Sequence, residues 1–177
     1  MKNEIITEIK QMKNNLLGIG IEDEKVLKEI EKNSKIELCF LLNNYSKGNG
    51  KKFKLYKRNK TKKINIKKLK KHFRKKSFEN IICNYEIVKK IYKSFVPNSI
   101  YINKGKLFIY GNIKDLEKVK EKYIRYTDKI KVKKNNKKFL LIIDNEKAKT
   151  NIIKDNCYKI KDIVNDSLDY LTEFLAN

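Results

Sequence analysis

Asp144 and Glu146 stand one residue apart at the end of the apolar run "FLLII", and Asp128 opens the same stretch of chain. Three carboxylates converging on a divalent ion would activate water against a phosphodiester, which is the chemistry of a nuclease. A carboxylate pair just past a strand is also an ordinary solvated strand end, and the sequence predicts that role here. Cys39, Cys83 and Cys157 are far apart in apolar or mixed surroundings, without the paired spacing of a zinc site, and read as buried thiols. The single histidine, His72, lies inside a lysine run and reads as a charged surface position. The expectation is therefore of no catalytic residue, no metal, no cofactor and no enzyme.

The strongest chemical signal is charge. Residues 51–76, "KKFKLYKRNKTKKINIKKLKKHFRKK", hold fifteen lysines and arginines in twenty-six positions and no carboxylate. With 41 Lys against 3 Arg and only 2 Ala, part of this excess follows from A- and T-rich codons, but codon usage would spread it evenly. Residues 1–37 carry 7 basic and 8 acidic groups, 38–78 carry 16 and 0, 79–154 carry 19 and 8, and 155–177 carry 2 and 5. The net values of −1, +16, +11 and −3 sum to the formal charge of +23. A segment that dense repels itself until it replaces the counterions condensed on a phosphate backbone. The candidate nucleic-acid-binding residues are Lys51, Lys52, Lys54, Tyr56, Lys57, Arg58, Lys60, Lys62, Lys63, Lys67, Lys68, Lys70, Lys71, His72, Arg74, Lys75 and Lys76. An anionic membrane is the rival polyanion and is not the expected partner, because the Ile66, Leu69, Phe73 stripe is narrow and lacks Trp.

The elements that must position these groups follow from apolar spacing. Ile5, Ile9, Met12 and Leu16, then Val26, Leu27 and Ile30, predict a pair of helices over 1–34. The turn between them resembles a helix-hairpin-helix at Gly18-Ile19-Gly20, although Glu22, Asp23 and Glu24 crowd the place where that motif holds a phosphate. "KIELCFLL" at 35–42 predicts a central strand, and a basic insertion occupies about 44–77. Ile81, Tyr85, Val88, Tyr92 and Phe95 predict one core helix ended by Pro97, and "SIYINKGKLFIYG" predicts two strands about an Asn-Lys-Gly turn. A helix over 112–126, a hairpin about Asn135-Asn136 and an acidic helix near the end of the chain complete the pattern. The fold expected is α+β: a small antiparallel or mixed sheet packed against helices, with an N-terminal helical pair (1–34), a basic arm or helix and a C-terminal acidic helix, 35–177 forming a single domain.

On the expected hairpin the aliphatic residues Ile100, Ile102, Leu107 and Ile109 alternate with Tyr101, Phe108 and Tyr110. Alternation places the three aromatics on one face, where an open sheet could stack bases. Lys104, Gly105, Phe108 and Ile109 of "KGKLFIYG" are similar to half of the RNA-recognition-motif signature, while Lys106 and Gly111 depart from it. The functional expectation is a non-enzymatic RNA-binding protein, a ribosomal or other ribonucleoprotein component with RNA favoured over DNA and protein neighbours in the particle. The alternatives are a DNA-binding or inhibitory protein of a phage or mobile element, and a metal-dependent nuclease. No apolar run approaches the roughly 20 residues of a membrane span, and no secretion signal opens the chain, so the expected location is intracellular, cytoplasmic or organellar.

Overall fold

The computed structural model describes residues 2–42, 53–55 and 69–146, with side chains over 3–42 and 69–146. In chain order the elements are α1 (Lys2–Ile9), β1 (Asn14–Ile19), α2 (Glu24–Lys32), β2 (Ile36–Leu42), β3 (Phe53–Leu55), α3 (Leu69–His72), β4 (Phe78–Asn84), α4 (Tyr85–Val88), α5 (Tyr92–Ile102), β5 (Asn103–Asn112), α6 (Leu116–Ile124), β6 (Ile130–Asn135) and β7 (Lys138–Asp144). Single 3-10 turns at Lys89–Ile91 and Ile113–Asp115 lead into α5 and α6. The strands form one seven-stranded sheet in the order β3-β2-β1-β4-β5-β7-β6. Neighbours from β3 to β5 run parallel, while β7 runs antiparallel to both β5 and β6.

Each strand alternates its side chains between two apolar layers. Leu17, Ile81, Cys83, Leu107 and Ile109 face α3, α5 and α6, where they meet Leu69, Phe95, Val119 and Tyr123. Leu16, Ile82, Phe108 and Leu140 face the other way, toward Ile5 and Ile9 of α1 and Val26, Leu27 and Ile30 of α2. The molecule is thus an α/β doubly wound sheet with helices on both faces.

This corrects the α+β expectation, and each misreading has a local cause. The expected N-terminal helical pair is broken by the central strand β1, which Asn14 introduces at φ +59. Leu16 is at helical spacing from Met12 but lies on a strand, because a run as short as "NNLLGI" cannot be assigned by periodicity. The expected helix through Ile81 and Phe95 is a strand followed directly by helix. Asn84 makes the switch, its side chain accepting from Glu86 N at 3.1 Å as an N-cap. α5 runs through Pro97 to Ile102, so the expected strand 99–103 is helix and β5 pairs parallel to β4 rather than in a local hairpin. The hairpin about Asn135-Asn136 is present as β6–β7, with Asn136 at φ +47. The expected C-terminal acidic helix and Cys157 lie outside the described residues, as do Lys51, Lys52, Tyr56, Lys57, Arg58, Lys60, Lys62, Lys63, Lys67 and Lys68 and the side chain of Lys54.

Asp23 caps α2, its carboxylate accepting from Lys25 N at 3.0 Å and Val26 N at 3.4 Å. Asp23→Ala is expected to cost about 1 kcal/mol of stability, read as a lower midpoint in urea with an unchanged slope. A midpoint equal to the parent's would mean that the cap contributes nothing. Among the described residues no helix is long and apolar enough to cross a membrane.

Candidate functional site

In a doubly wound sheet, ligands bind outside the carboxyl ends of the strands where the winding reverses. Here that point lies between β1 and β4: the chain winds outward from β1 through β2 to β3, then returns to β4 on the other side. The residues brought there are Gly18-Ile19-Gly20 with Glu22 and Asp23 after β1, Asn84, Tyr85 and Ile87 after β4, and Tyr110 on β5.

Both glycines are used for close approach. A Cβ on Gly18 would lie 2.7 Å from Ile21 Cδ1 and from Leu41 Cδ2. Gly20 adopts φ +67, and a Cβ there would come within 2.4 Å of Ile87 Cγ1. Ile87 is one of the few exposed large aliphatic side chains and forms an apolar wall over the turn. The Gly20 amide donates to the Leu42 carbonyl at 3.1 Å, and its carbonyl accepts from the Tyr110 hydroxyl at 3.1 Å. Burial pushes the Tyr110 hydroxyl well above its usual range, and Cys83, Glu22 and Asp23 push it the same way. Tyr110 therefore stays a neutral donor, held in a field of negative sign from the two carboxylates. Asn84 commits its Oδ1 to the α4 cap and leaves its amide NH₂ uncommitted among the described residues.

Beside this crevice, at the end of β5, Asp115 is buried and pairs through Oδ1 with Lys89 Nζ at 3.5 Å, while its Oδ2 has no partner among the described residues. Lys89 also lies 3.9 Å from Glu86 Oε2. Burial, then Asp115 and Glu86, raise the pKa of the neighbouring Tyr85 hydroxyl.

The residues singled out in the sequence are placed elsewhere. Phe108 is only 2% exposed, its ring sealed beneath α1 and α2, and Tyr101 lies on helix α5, so with Tyr110 they share no open sheet face. Lys70, Lys71, His72, Arg74 and Lys75 are exposed on and just after α3, which docks by Leu69 and Phe73. Lys76 turns inward at φ +56, its Nζ donating to the Asn145 carbonyl at 3.3 Å, and burial followed by Lys75 lowers its pKa. Asp144 and Glu146 sit at the opposite edge of the sheet from the glycine turn, the Asp144 carboxylate accepting from Glu146 N at 3.0 Å. Among the described residues no group of three or more His, Cys, Asp or Glu side chains is placed to hold a metal ion. Cys39 and Cys83 are buried, and burial pushes the Cys39 thiol up to about 12 and Cys83 higher. The turn itself was visible in the sequence as a Gly-x-Gly after an apolar run and before a capped helix, but the run was assigned to the wrong element.

No protein-family model matches the sequence, and no curated protein matches it. Solved structures do match. A candidate S-adenosyl-L-methionine-dependent methyltransferase from Methanococcus maripaludis superposes with a TM-score of 0.57 at 10% identity, over 85% of this chain and 84% of that one. A protein described as a predicted O-methyltransferase from Agrobacterium tumefaciens gives 0.56 at 8% identity over 73% of each chain. A Pyrococcus horikoshii protein gives 0.56 at 12% identity, over 80% of this chain and 86% of that one. The fold is thus a Rossmann-like methyltransferase fold. This fold overturns the expectation of a non-enzymatic RNA-binding ribosomal or ribonucleoprotein component. The two-strand RNA-stacking sheet on which that expectation rested does not form.

Proposed function

We propose that this chain is an S-adenosylmethionine-dependent methyltransferase whose substrate is a nucleic acid. The observation that carries the reading is the sheet order, with a glycine turn at its switch point and an antiparallel β7 inserted between β5 and β6. The substrate class rests on the 41 residues from 38 to 78 that contain sixteen basic groups and no acid.

The residues at the turn fit the cofactor's chemistry. S-adenosylmethionine carries a sulfonium and an ammonium, and when bound it supplies an electrophilic methyl group. Glu22, exposed just past the turn, and Asp23 provide negative charge for the cationic part, and the amide NH₂ of Asn84, uncommitted among the described residues, is a donor for a carboxylate. Ile87 and Tyr110 supply apolar surface that excludes water, and the Tyr110 hydroxyl fixes the turn by holding the Gly20 carbonyl. One departure has a consequence for affinity. The chain has no Asp or Glu between residues 38 and 78, so the end of β2 offers no carboxylate to the ribose hydroxyls, as dinucleotide sites of doubly wound folds do.

The test is calorimetric titration of the full chain with S-adenosylmethionine and with its demethylated product, followed by transfer of a labelled methyl group to RNA, DNA and protein in separate reactions. Binding is expected, and Glu22→Gln should weaken it by about tenfold, the loss of one charge interaction of about 1.4 kcal/mol. Label is expected in RNA or DNA. Absence of cofactor binding would sink the methyltransferase reading, and label confined to protein would sink the substrate assignment alone.

A further inference from the structure

The described part of the basic run and the candidate methyl-transfer site stand at opposite ends of the sheet. α3 packs where β4 begins, the Phe73 and Phe78 rings meeting edge to face at 4.9 Å, while the glycine turn and Asn84 lie where β1 and β4 end. β4 has seven residues, which at about 3.3 Å per residue set its two ends about 20 Å apart. A polyanion gripped by Lys70, Lys71, Arg74 and Lys75 has to cross that distance before any of its atoms can meet the crevice.

Helix α5 spans the gap. It begins at the crevice, one 3-10 turn after Val88, and ends against the α3 segment. There the Lys70 amide donates to Asn98 Oδ1 at 3.1 Å, and the Lys76 amide donates to the Tyr101 carbonyl at 3.0 Å. Phe95, Val96 and Ile100 turn into the core, which leaves Lys90, Lys93, Pro97 and Tyr101 on the outer side. Spacings of three, four and four put these residues on one stripe along the helix.

The stripe carries no acid of its own, because residues 87–114 contain no Asp or Glu. Residues 38–78 contain none either, and the two acid-free stretches meet where α3 packs on α5. At the crevice end Lys89 stands 3.9 Å from Glu86 Oε2 and 3.5 Å from Asp115 Oδ1, so these carboxylates are offset by a cation. The neighbouring helix α6, tied to α5 where the Tyr92 hydroxyl donates to the Val119 carbonyl at 2.8 Å, carries the exposed carboxylates Glu117 and Glu121. The band free of negative charge therefore follows α5, from the basic segment to the crevice.

We propose that the nucleic acid runs along the outer face of α5, its backbone anchored by the α3 segment and its reacting nucleotide delivered to the crevice. The track rests on the nucleic-acid reading of the substrate and adds a length and a direction to it. At 3.4 Å per nucleotide of a duplex strand, a span of about 20 Å takes about six nucleotides on one side of the methylated one. Pro97 and the half-buried Tyr101 form an uncharged middle that a sugar or base can cover. A mononucleotide cannot touch both ends.

The test uses the full chain. The labelled base is first mapped in the RNA or DNA that accepts it, and oligonucleotides carrying it are then trimmed from one side at a time. Trimming to within about six nucleotides on one side should raise KM by at least about tenfold, while the same trimming on the other side should have a much smaller effect. Lys90→Glu with Lys93→Glu should raise KM for the untrimmed oligonucleotide by about tenfold and leave calorimetric binding of S-adenosylmethionine unchanged. Lys90→Glu alone should give part of that rise. Lys25→Glu with Lys28→Glu, exposed on α2 across the sheet, makes the same change of charge and should leave KM within about twofold. A KM indifferent to trimming, equal effects from the two sides, or equal effects of the two double variants would each overturn the track alone. Label in no nucleic acid would instead remove the substrate class, and the track with it.

Discussion

Raising the salt from about 50 to about 200 mM should lower the affinity of this protein for a nucleic acid by about 10³- to 10⁵-fold, the loss expected when six to ten phosphate contacts form by counterion release. The basic groups of residues 51–76 are dense enough to make that many contacts. Reversing the charge at Lys67, Lys70, Lys71 and Lys75 should reduce the salt slope by about one unit for each contact removed. The fold should be nearly untouched, because Lys70, Lys71 and Lys75 are exposed while Leu69 and Phe73 make the packing contacts of this segment. Reversing Lys10, Lys32, Lys118 and Lys161 changes net charge equally and serves as the control. Equal losses in the two variants would show that total charge alone matters, and a flat salt dependence would remove the electrostatic premise.

Gly20→Ala should destabilise the protein by about 2–5 kcal/mol, from two separable causes. The backbone sits at φ +67, where a residue with a Cβ is strained by about 1–2 kcal/mol. The new methyl would also meet Ile87 at 2.4 Å and Asn84 Cβ at 3.3 Å, an overpacking worth about 1–3 kcal/mol. The paired variant Gly20→Ala with Ile87→Ala should recover the second part only, and a double-mutant cycle in urea measures it. A loss below about 1 kcal/mol in the single variant would mean that the turn is not held in this conformation.

What was legible in the sequence divides along a physical line. Strand β2, the hairpin about Asn136 and helix α6 could be read because each declares itself within its own residues, by an apolar run of strand length, by an αL asparagine or by i, i+4 spacing. β1 and β4 could not. Each is a short apolar stretch beside a helix, so that Met12 with Leu16, and Ile81 with Tyr85, mimic helical spacing across an element boundary. The parallel order of the sheet depends on pairings between segments well separated in the chain, such as Leu17 with Ile81, which no local pattern encodes. The candidate site was hidden for the same reason: Gly20, Asn84 and Tyr110 come together only when that order is known. The lysine run was easy to read and misleading about class, because net charge bears on solubility and binding and not on fold.

The position of β7 bears on how the chain is made. Emerging from the ribosome in order, β1, β2, β4 and β5 can assemble before the last hairpin exists, and β5 then displays an open edge next to Leu107 and Ile109. That edge is closed only when residues 138–144 arrive, and of those residues Phe139, Leu140, Leu141, Ile142 and Ile143 are all apolar and buried. Two adhesive surfaces thus coexist briefly during synthesis. The hairpin delivers β7 already paired with β6, whose Lys131, Lys133 and Lys134 then form the final rim of the sheet. Lysines there discourage a second nascent chain from adding on, so on this strand basic charge also serves biogenesis.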